Sequence, residues 1–158
     1  MDAPQKQALY LEAQKELISI TDGEGNQTAL MATVCCILAQ KFDYYFWTGF
    51  YLVDPEKKNE LVVGPYQGTL GCLRIPFGRG VCGTAAATRD TQIVQDVHEF
   101  PGHIACDSRS NSEIVVPVID GNGDLIAVFD VDSVAYGSFD LIDRDGLETI
   151  MRHVFARA

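Results

Sequence analysis

Hydrophobic and polar positions divide the chain into helical ends and a strand-rich middle. The segment from Gln5 to about Ile20 predicts a helix, and a polar break with two glycines separates it from a second helix over Gln27 to Phe42. Apolar residues recur three and four positions apart on the second helix, which predicts one buried face. The same spacing near the C-terminus predicts a closing helix with Ser138 as its N-cap.

The middle of the chain contains short segments rich in aromatic and β-branched residues, as is typical of strands. Two polar turns each join a pair of them into a predicted hairpin, and one brief strand lies between the hairpins. In chain order the predicted strands are Tyr45 to Val53, Glu60 to Tyr66, Thr91 to Val97, Glu113 to Ile119 and Leu125 to Asp132. We therefore predict an α+β fold in which the terminal helices cover an antiparallel sheet.

Two segments of the middle region show no strand or helix periodicity. Gly68 to Gly83 carries five glycines and leads into a short predicted helix over Thr84 to Thr88. His98 to Asn111 is a long polar stretch, and long loops of this kind often carry functional residues.

Length and charge limit the classes of function. The 158 residues suffice for one compact domain, so we predict a single domain over 1–158. The net charge of −10 disfavours nucleic acid and anionic membrane surfaces as partners. No apolar run reaches the roughly 20 residues that span a bilayer, and no targeting signal is recognisable. We therefore expect a cytoplasmic protein.

The last predicted strand ends in two carboxylates on one face. Side chains alternate across a strand, so Asp130 and Asp132 point to the same side. Glu113 opens the preceding hairpin strand and could lie near them. Three carboxyl groups around an apolar cavity would raise at least one pKa and keep a proton available. The alternative is that both aspartates lie in water at the end of the strand.

The five cysteines fall into two groups. An odd number in a chain without a secretion signal argues against a structural disulfide framework. Cys35 and Cys36 belong to the apolar second helix, which predicts core positions. Cys72, Cys82 and Cys106 lie in glycine-containing or polar loops, where burial explains them less well.

Cys106 is the principal candidate for a reactive thiol. His103 and Arg109 could favour its thiolate, whereas Asp107 opposes it, so the residues leave its pKa open. Cys82 is a rival, because its position at a predicted helix start would stabilise an anion.

A zinc site would have suitable ligand types in Cys72, Cys82, His103 and Cys106. However, no two of these cysteines show the close spacing typical of structural zinc sites. The chain also lacks the serine elbow of hydrolases and the lysine of a phosphate-binding loop. We therefore expect neither a metal nor a cofactor.

Several stretches together resemble the free methionine-(R)-sulfoxide reductases, a family of GAF-domain enzymes. The matching stretches are Trp47–Tyr51, Leu61–Gly68, Ile75–Gly83, His103–Asp107 continuing through Ser112–Pro117, and Phe129–Ser133. The resemblance implies a GAF-like sheet with the N- and C-terminal helices on one face and a ligand pocket on the other. It also implies thiol-dependent reduction of free L-methionine (R)-S-oxide.

The same resemblance implies roles for individual residues. Cys106 would attack the sulfoxide sulfur and become a sulfenic acid. Cys72 would resolve it as a disulfide, with Cys82 as an auxiliary thiol or an alternative partner. Trp47 and Tyr51 would form an aromatic wall around the methyl-sulfinyl group.

The acidic residues have an implied role as well. Glu113, Asp130 and Asp132 would hold the sulfoxide oxygen through a retained proton and the substrate ammonium through a charge. Thioredoxin is the implied reductant, and a homodimer is left open. The alternatives are a GAF module that binds a small molecule without chemistry and a redox sensor that signals through the same thiols.

Overall fold

The computed structural model describes residues 1–103 and 106–157, and in this part of the chain four α-helices pack on one six-stranded antiparallel sheet. The helices are α1 (Ala3–Ile20), α2 (Gln27–Lys41), α3 (Gly80–Thr88) and α4 (Leu141–Phe155). The strands are β1 (Trp47–Val53), β2 (Glu60–Gln67), β3 (Arg74–Pro76), β4 (Gln92–Val94), β5 (Ser112–Ile119) and β6 (Leu125–Ser133). The predicted α+β class and the antiparallel sheet are confirmed.

The strand order is β3-β2-β1-β6-β5-β4, so the two predicted hairpins meet at the centre, where β1 pairs with β6. The sequence pattern did not predict β3, because its three residues lie among glycines and only Ile75 is buried. The strand predicted over Thr91 to Val97 is shorter, since it ends at Val94 and a single 3-10 turn follows at Val97–Glu99.

Two helix starts differ from the prediction. Helix α3 begins at Gly80, four residues before the predicted start. Helix α4 is capped by Asp140, whose side chain accepts from the backbone N–H groups of Ile142 and Asp143. Ser138 as N-cap was wrong, because its hydroxyl donates to the hydroxyl of Ser133 at the end of β6 instead.

The two faces of the sheet carry separate hydrophobic clusters. Helices α1, α2 and α4 cover one face, where the cluster includes Phe50 of β1 and Phe129 of β6. The other face packs against α3 through Trp47, Tyr51 and Cys82, among other residues. The predicted placement of the terminal helices on one face is thus confirmed.

A buried polar network joins α1 to α4 on the helix-covered face. The Nζ of Lys6 lies 2.6 Å from Oδ2 of Asp143, whose side chain is fully buried. The hydroxyls of Tyr10 and Tyr44 donate to its other oxygen at 2.7 and 2.5 Å. The ammonium and the two hydroxyls supply the partners that a buried carboxylate requires.

Over residues 1–103 and 106–157, no helix has the length and apolar character needed to cross a membrane.

Candidate functional site

Strand register brings the acidic residues to one row of the sheet. Trp47 of β1 is paired with Asp132 of β6, which is paired in turn with Glu113 of β5. Asp130 lies two positions along β6, opposite Gly49. Because alternate residues share a face, these side chains point together toward α3.

The aromatic side of the site consists of stacked rings. The Trp47 ring packs on Tyr51 with centroids 5.6 Å apart and on Tyr66 with centroids 5.0 Å apart. A Cβ on Gly49 would lie 2.7 Å from the indole, and a Cβ on Gly71 would lie 2.8 Å from it. Both positions therefore need glycine, which leaves room for the indole ring.

The indole is also held through its nitrogen. The Trp47 N–H donates to the carbonyl of Thr69 at 2.8 Å. Trp47 and Tyr51 lie on one face of β1, and both residues are buried at the cavity wall.

Glu113, Asp130 and Asp132 form a buried acid cluster, which we call the acid cluster below. Glu113 and Asp130 are only 6% and 4% exposed, and Asp132 is half-buried. The alternative in which both aspartates lie in water at the end of the strand is therefore wrong. Burial raises the pKa of all three carboxyls, most strongly for Glu113 and Asp132. Repulsion from Asp130 is the second cause at Glu113 and Asp132, so desolvation outweighs the mutual repulsion expected from the sequence.

One oxygen of this cluster is left without a partner. Oδ1 of Asp130 is buried and has no hydrogen bond among the described residues. Asp132, by contrast, accepts a hydrogen bond from the hydroxyl of Ser110 at 3.3 Å. A buried polar atom without a partner carries a desolvation penalty that a ligand can relieve.

Cys82 lies beside the acid cluster in the first turn of α3. It is 4% exposed, and burial raises the pKa of its thiol well above the usual range. The charges of Asp130, Glu113 and Asp132 add to this effect. Burial beside carboxyl groups thus acts against the thiolate that a helix start was expected to favour.

Cys72 and Cys106 form a disulfide at the mouth of the site. Their Cα atoms are 5.6 Å apart, within the ordinary range for such a bond. The bond joins the loop after β2 to the loop before β5, and the Thr69 hydroxyl also links the two loops by donating to Asp107 at 2.7 Å. This pairing leaves Cys35, Cys36 and Cys82 as free cysteines.

Two charged neighbours of Cys106, Arg109 and Asp107, are paired with each other. Arg109 forms two side-chain hydrogen bonds to Asp107, at 3.1 and 2.8 Å. Bonds from Arg109 and Thr69 hold the pKa of Asp107 well below its usual range. Partial burial, with the nearby His98, lowers the pKa of His103. Ile104 and Ala105, which precede Cys106 in the predicted loop, lie outside the described residues.

The two cysteines assigned to the core differ in burial. Cys35 is buried on α2, and burial raises the pKa of its thiol to about 12. Cys36 is only half-buried, because it occupies the next position around the helix. The core assignment is therefore confirmed for Cys35 alone.

A single cavity brings these groups together. It has an empty volume of about 520 Å³, part of which is open to solvent, and every predicted catalytic or substrate-binding residue except Cys72 lines it. Its lining comprises Trp47, Tyr51, Leu70, Gly71, Ile75, Arg79, Gly80, Val81, Cys82, His103, Cys106, Asp107, Ser110, Glu113, Asp130 and Asp132.

Sequence reasoning missed five side chains of this lining, namely Leu70, Ile75, Arg79, Val81 and Ser110. Ile75, Arg79 and Val81 lay within a stretch recognised for its resemblance, yet none was given a role. Ser110 is one of two serines in the polar loop His98 to Asn111, and nothing in the sequence distinguishes it.

A cation could be coordinated at the base of the cavity. One ligand atom from each of Cys82, Glu113 and Asp130 lies within 4.8 Å of the other two. A thiolate with two carboxylates would suit zinc, but binding would require these groups to lose their protons. Burial opposes that loss at all three, so a metal ion would have to displace these protons.

The sequence of this chain is similar to a known domain family and to known proteins. The GAF domain family matches residues 26–155. A free methionine-R-sulfoxide reductase from Escherichia coli is 41% identical over 146 residues, which cover 92% of this chain and 86% of that protein.

Solved structures agree with the sequence match. The free methionine-R-sulfoxide reductase of Neisseria meningitidis, in complex with its substrate, has a TM-score of 0.90 and 44% identity, over 98% of this chain and 89% of that one. The reduced form of fRMsr from Staphylococcus aureus has a TM-score of 0.87 and 41% identity, over 92% of each chain.

Proposed function

Because this chain belongs to the free methionine-(R)-sulfoxide reductase family of GAF-domain oxidoreductases, we propose that it reduces free L-methionine (R)-S-oxide to L-methionine. The observation that carries the proposal is the Cys72–Cys106 disulfide at the mouth of a cavity whose base is the acid cluster. A redox-active thiol pair and a proton source are the two components that sulfoxide reduction needs.

In the proposed first step, the Cys106 thiolate attacks the sulfoxide sulfur. The sulfur–oxygen bond of the substrate and the bond just formed between the two sulfurs then break as the oxygen moves, with one proton, to the Cys106 sulfur. Cys106 becomes a sulfenic acid, and methionine leaves with two electrons gained. Sulfoxide oxygen leaves poorly unless it is protonated. The acid cluster suits this task because burial keeps protons on its carboxyls at higher pH than in water.

In the second step, the Cys72 thiol attacks the Cys106 sulfur. Water leaves, and the disulfide of the structure is the product. An external dithiol then returns two electrons and two protons, and we propose thioredoxin for this role. Cys82 is disfavoured as the attacking thiol because burial beside the acid cluster raises its pKa.

Substrate selection follows from the same groups. The stacked Trp47 and Tyr51 rings provide an apolar wall for the methyl-sulfinyl end, and polarizable sulfur packs favourably against aromatic rings. The acid cluster, with the partnerless oxygen of Asp130, suits the α-ammonium of a free amino acid. Peptide-bound methionine sulfoxide lacks that ammonium and should be rejected.

The first test measures thioredoxin-dependent loss of each epimer of methionine sulfoxide, free and N-acetylated. We expect turnover of the free R epimer alone. Comparable turnover of the N-acetyl compound would contradict the role of the ammonium. Binding without any turnover would favour a small-molecule-binding or redox-sensing module, and it would contradict the proposed reaction.

The second test assigns the thiols in a single turnover without reductant. Cys106→Ser should release no methionine, since a hydroxyl at neutral pH is a far weaker nucleophile than a thiolate. Cys72→Ser should release about one methionine per site and then stall as a sulfenic acid. Thiols counted before and after the reaction provide the check. A stoichiometric burst in Cys106→Ser would transfer the nucleophilic role to Cys82.

A further inference from the structure

The charged groups that line the cavity are mostly acidic, although a free amino acid carries one charge of each sign. Four carboxyl side chains line it: Asp107, Glu113, Asp130 and Asp132. They can pair with an ammonium, but they repel an α-carboxylate. A cavity that selects a free amino acid therefore needs a cation at some distance from the acid cluster.

Only two basic side chains occur among the described residues of the cavity lining, Arg79 and His103. Burial lowers the pKa of His103, so its ring carries less positive charge at neutral pH than a free imidazole. Arg109 lies close in sequence to Cys106 and Asp107, which line the cavity, but its side chain is paired with Asp107. Arg79 is the remaining cation.

Arg79 is well placed for such a contact. Its backbone N–H donates to the carbonyl of Pro76, and its carbonyl accepts from the N–H of Gly83, so its main chain is fixed where α3 begins. Its side chain has no hydrogen bond or ion pair to another described residue. A guanidinium can also bind both oxygens of a carboxylate at once.

We infer that Arg79 binds the α-carboxylate of the substrate. This contact, together with the contact of the acid cluster to the α-ammonium, selects a free amino acid. This inference rests on the proposed function for the identity of the substrate. The acid cluster recognises the ammonium, Trp47 and Tyr51 pack on the methyl-sulfinyl group, and Arg79 neutralises the carboxylate at the opening of the cavity.

The test compares methionine (R)-sulfoxide with methioninamide (R)-sulfoxide at a pH of about 6, where the α-amine of both is protonated. Both then carry the ammonium, but the amide has no α-carboxylate. The reduced protein and its Arg79→Gln and Arg79→Lys variants are assayed for kcat and KM with both compounds. Because Trp47 is the sole tryptophan and lines the cavity, its fluorescence gives Kd for each compound independently of turnover.

We expect the unsubstituted protein to prefer the acid over the amide by about tenfold or more in Kd and KM, the range of a charge-assisted hydrogen bond. Arg79→Gln should lose this preference by weakening the acid alone, with kcat nearly unchanged. Arg79→Lys should restore much of it. Arg152→Gln on the exposed surface of α4 is the matched control for net charge and should change neither ratio.

The outcomes separate this inference from the proposed function. An acid-to-amide ratio that is the same in Arg79→Gln and the unsubstituted protein would overturn the role of Arg79, even if reductase activity is present. Loss of the preference for the acid in the Kd values of Arg79→Gln would support that role even if the protein showed no turnover. The absence of turnover would contradict only the proposed reaction.

Discussion

The protein buries carboxyl groups on both faces of its sheet, but it gives them opposite surroundings. On the helix-covered face, Asp143 accepts from the Lys6 ammonium and from the hydroxyls of Tyr10 and Tyr44. On the other face, the acid cluster has no cation among its neighbours in the described residues, and one oxygen of Asp130 has no partner. Burial alone therefore does not decide what a carboxyl group does.

The difference lies in how each site compensates for lost hydration. A cation and hydroxyl donors allow Asp143 to remain a hydrogen-bonded anchor between α1 and α4. Without a cation, the acid cluster compensates by keeping protons, and burial raises the pKa of each carboxyl. The first arrangement joins α1 to α4, and the second favours protonated carboxyls inside the cavity.

The largest expected effect is on catalysis at the acid cluster. Glu113→Gln, Asp130→Asn and Asp132→Asn each remove a titratable proton with little change in shape. At least one of them should lower kcat/KM by about 10²–10⁴-fold, as the loss of a positioned acid does. Asp22→Asn, in the exposed turn after α1, is the control. Near-normal turnover in all three amide variants would place the proton donor elsewhere.

The next effect is on stability at the helix-covered face. Lys6→Met removes the ammonium and leaves Asp143 buried with its hydroxyl donors only. We expect a loss of about 3–5 kcal/mol in the free energy of unfolding. Urea unfolding of Lys6→Met against Lys15→Met, on the exposed side of α1, measures it. The kcat of the folded Lys6→Met variant should stay normal. Equal stability of the two variants would show that the network does not anchor α1.

The third effect concerns pH. The carboxyls of the acid cluster have a pKa in the folded state above their unfolded value of about 4. Between these two pKa values, the unfolded state therefore binds fewer protons than the folded state. The free energy of unfolding should therefore fall from about pH 4 up to the folded pKa values, by about 1.4 kcal/mol per pH unit for each proton of difference.

Urea unfolding between pH 4 and pH 8 tests this dependence. Glu113→Gln should flatten the fall, whereas Lys6→Met should retain it. Activity should decline in the same direction, because the acid form is lost as pH rises. A slope that Glu113→Gln leaves unchanged would refute the retained proton on Glu113.

The smallest effects distinguish the two cysteines of α2. Cys35→Ala should cost about 1 kcal/mol, because it opens space in a packed core, whereas Cys36→Ala should stay within about 0.5 kcal/mol. Thermal unfolding compares them, and single-turnover yields should be normal in both. An equal loss of stability would contradict the different burial of these neighbours.

Much of the fold follows from local sequence pattern. The two hairpins and the long helices were predicted to within a few residues because their apolar periodicity reports burial directly. Helix α3 and strand β3 were misjudged because they lie among glycines, where periodicity is weak. The Ser138 cap was wrong because a serine at a chain reversal can bond across the sheet instead of to the following helix.

The candidate site divides in the same way. Alternation along β6 was enough to place Asp130 and Asp132 on one face, and the resemblance pointed to Cys106 and Cys72. No pattern could show that Cys82 is buried against carboxyls or that Arg79 enters the cavity lining. These facts depend on contacts between segments that are distant along the chain.

The sequence by itself determined which residues alternate between the two faces of a strand, which segments form helices and which side chains carry carboxyl or thiol groups. Those properties belong to single residues and to the period of each element. The tertiary structure alone decided which carboxyl groups received a cation and which kept a proton. Solvation and charge act through space, so strands and helices far apart in sequence must pack before the pKa of a buried group is defined.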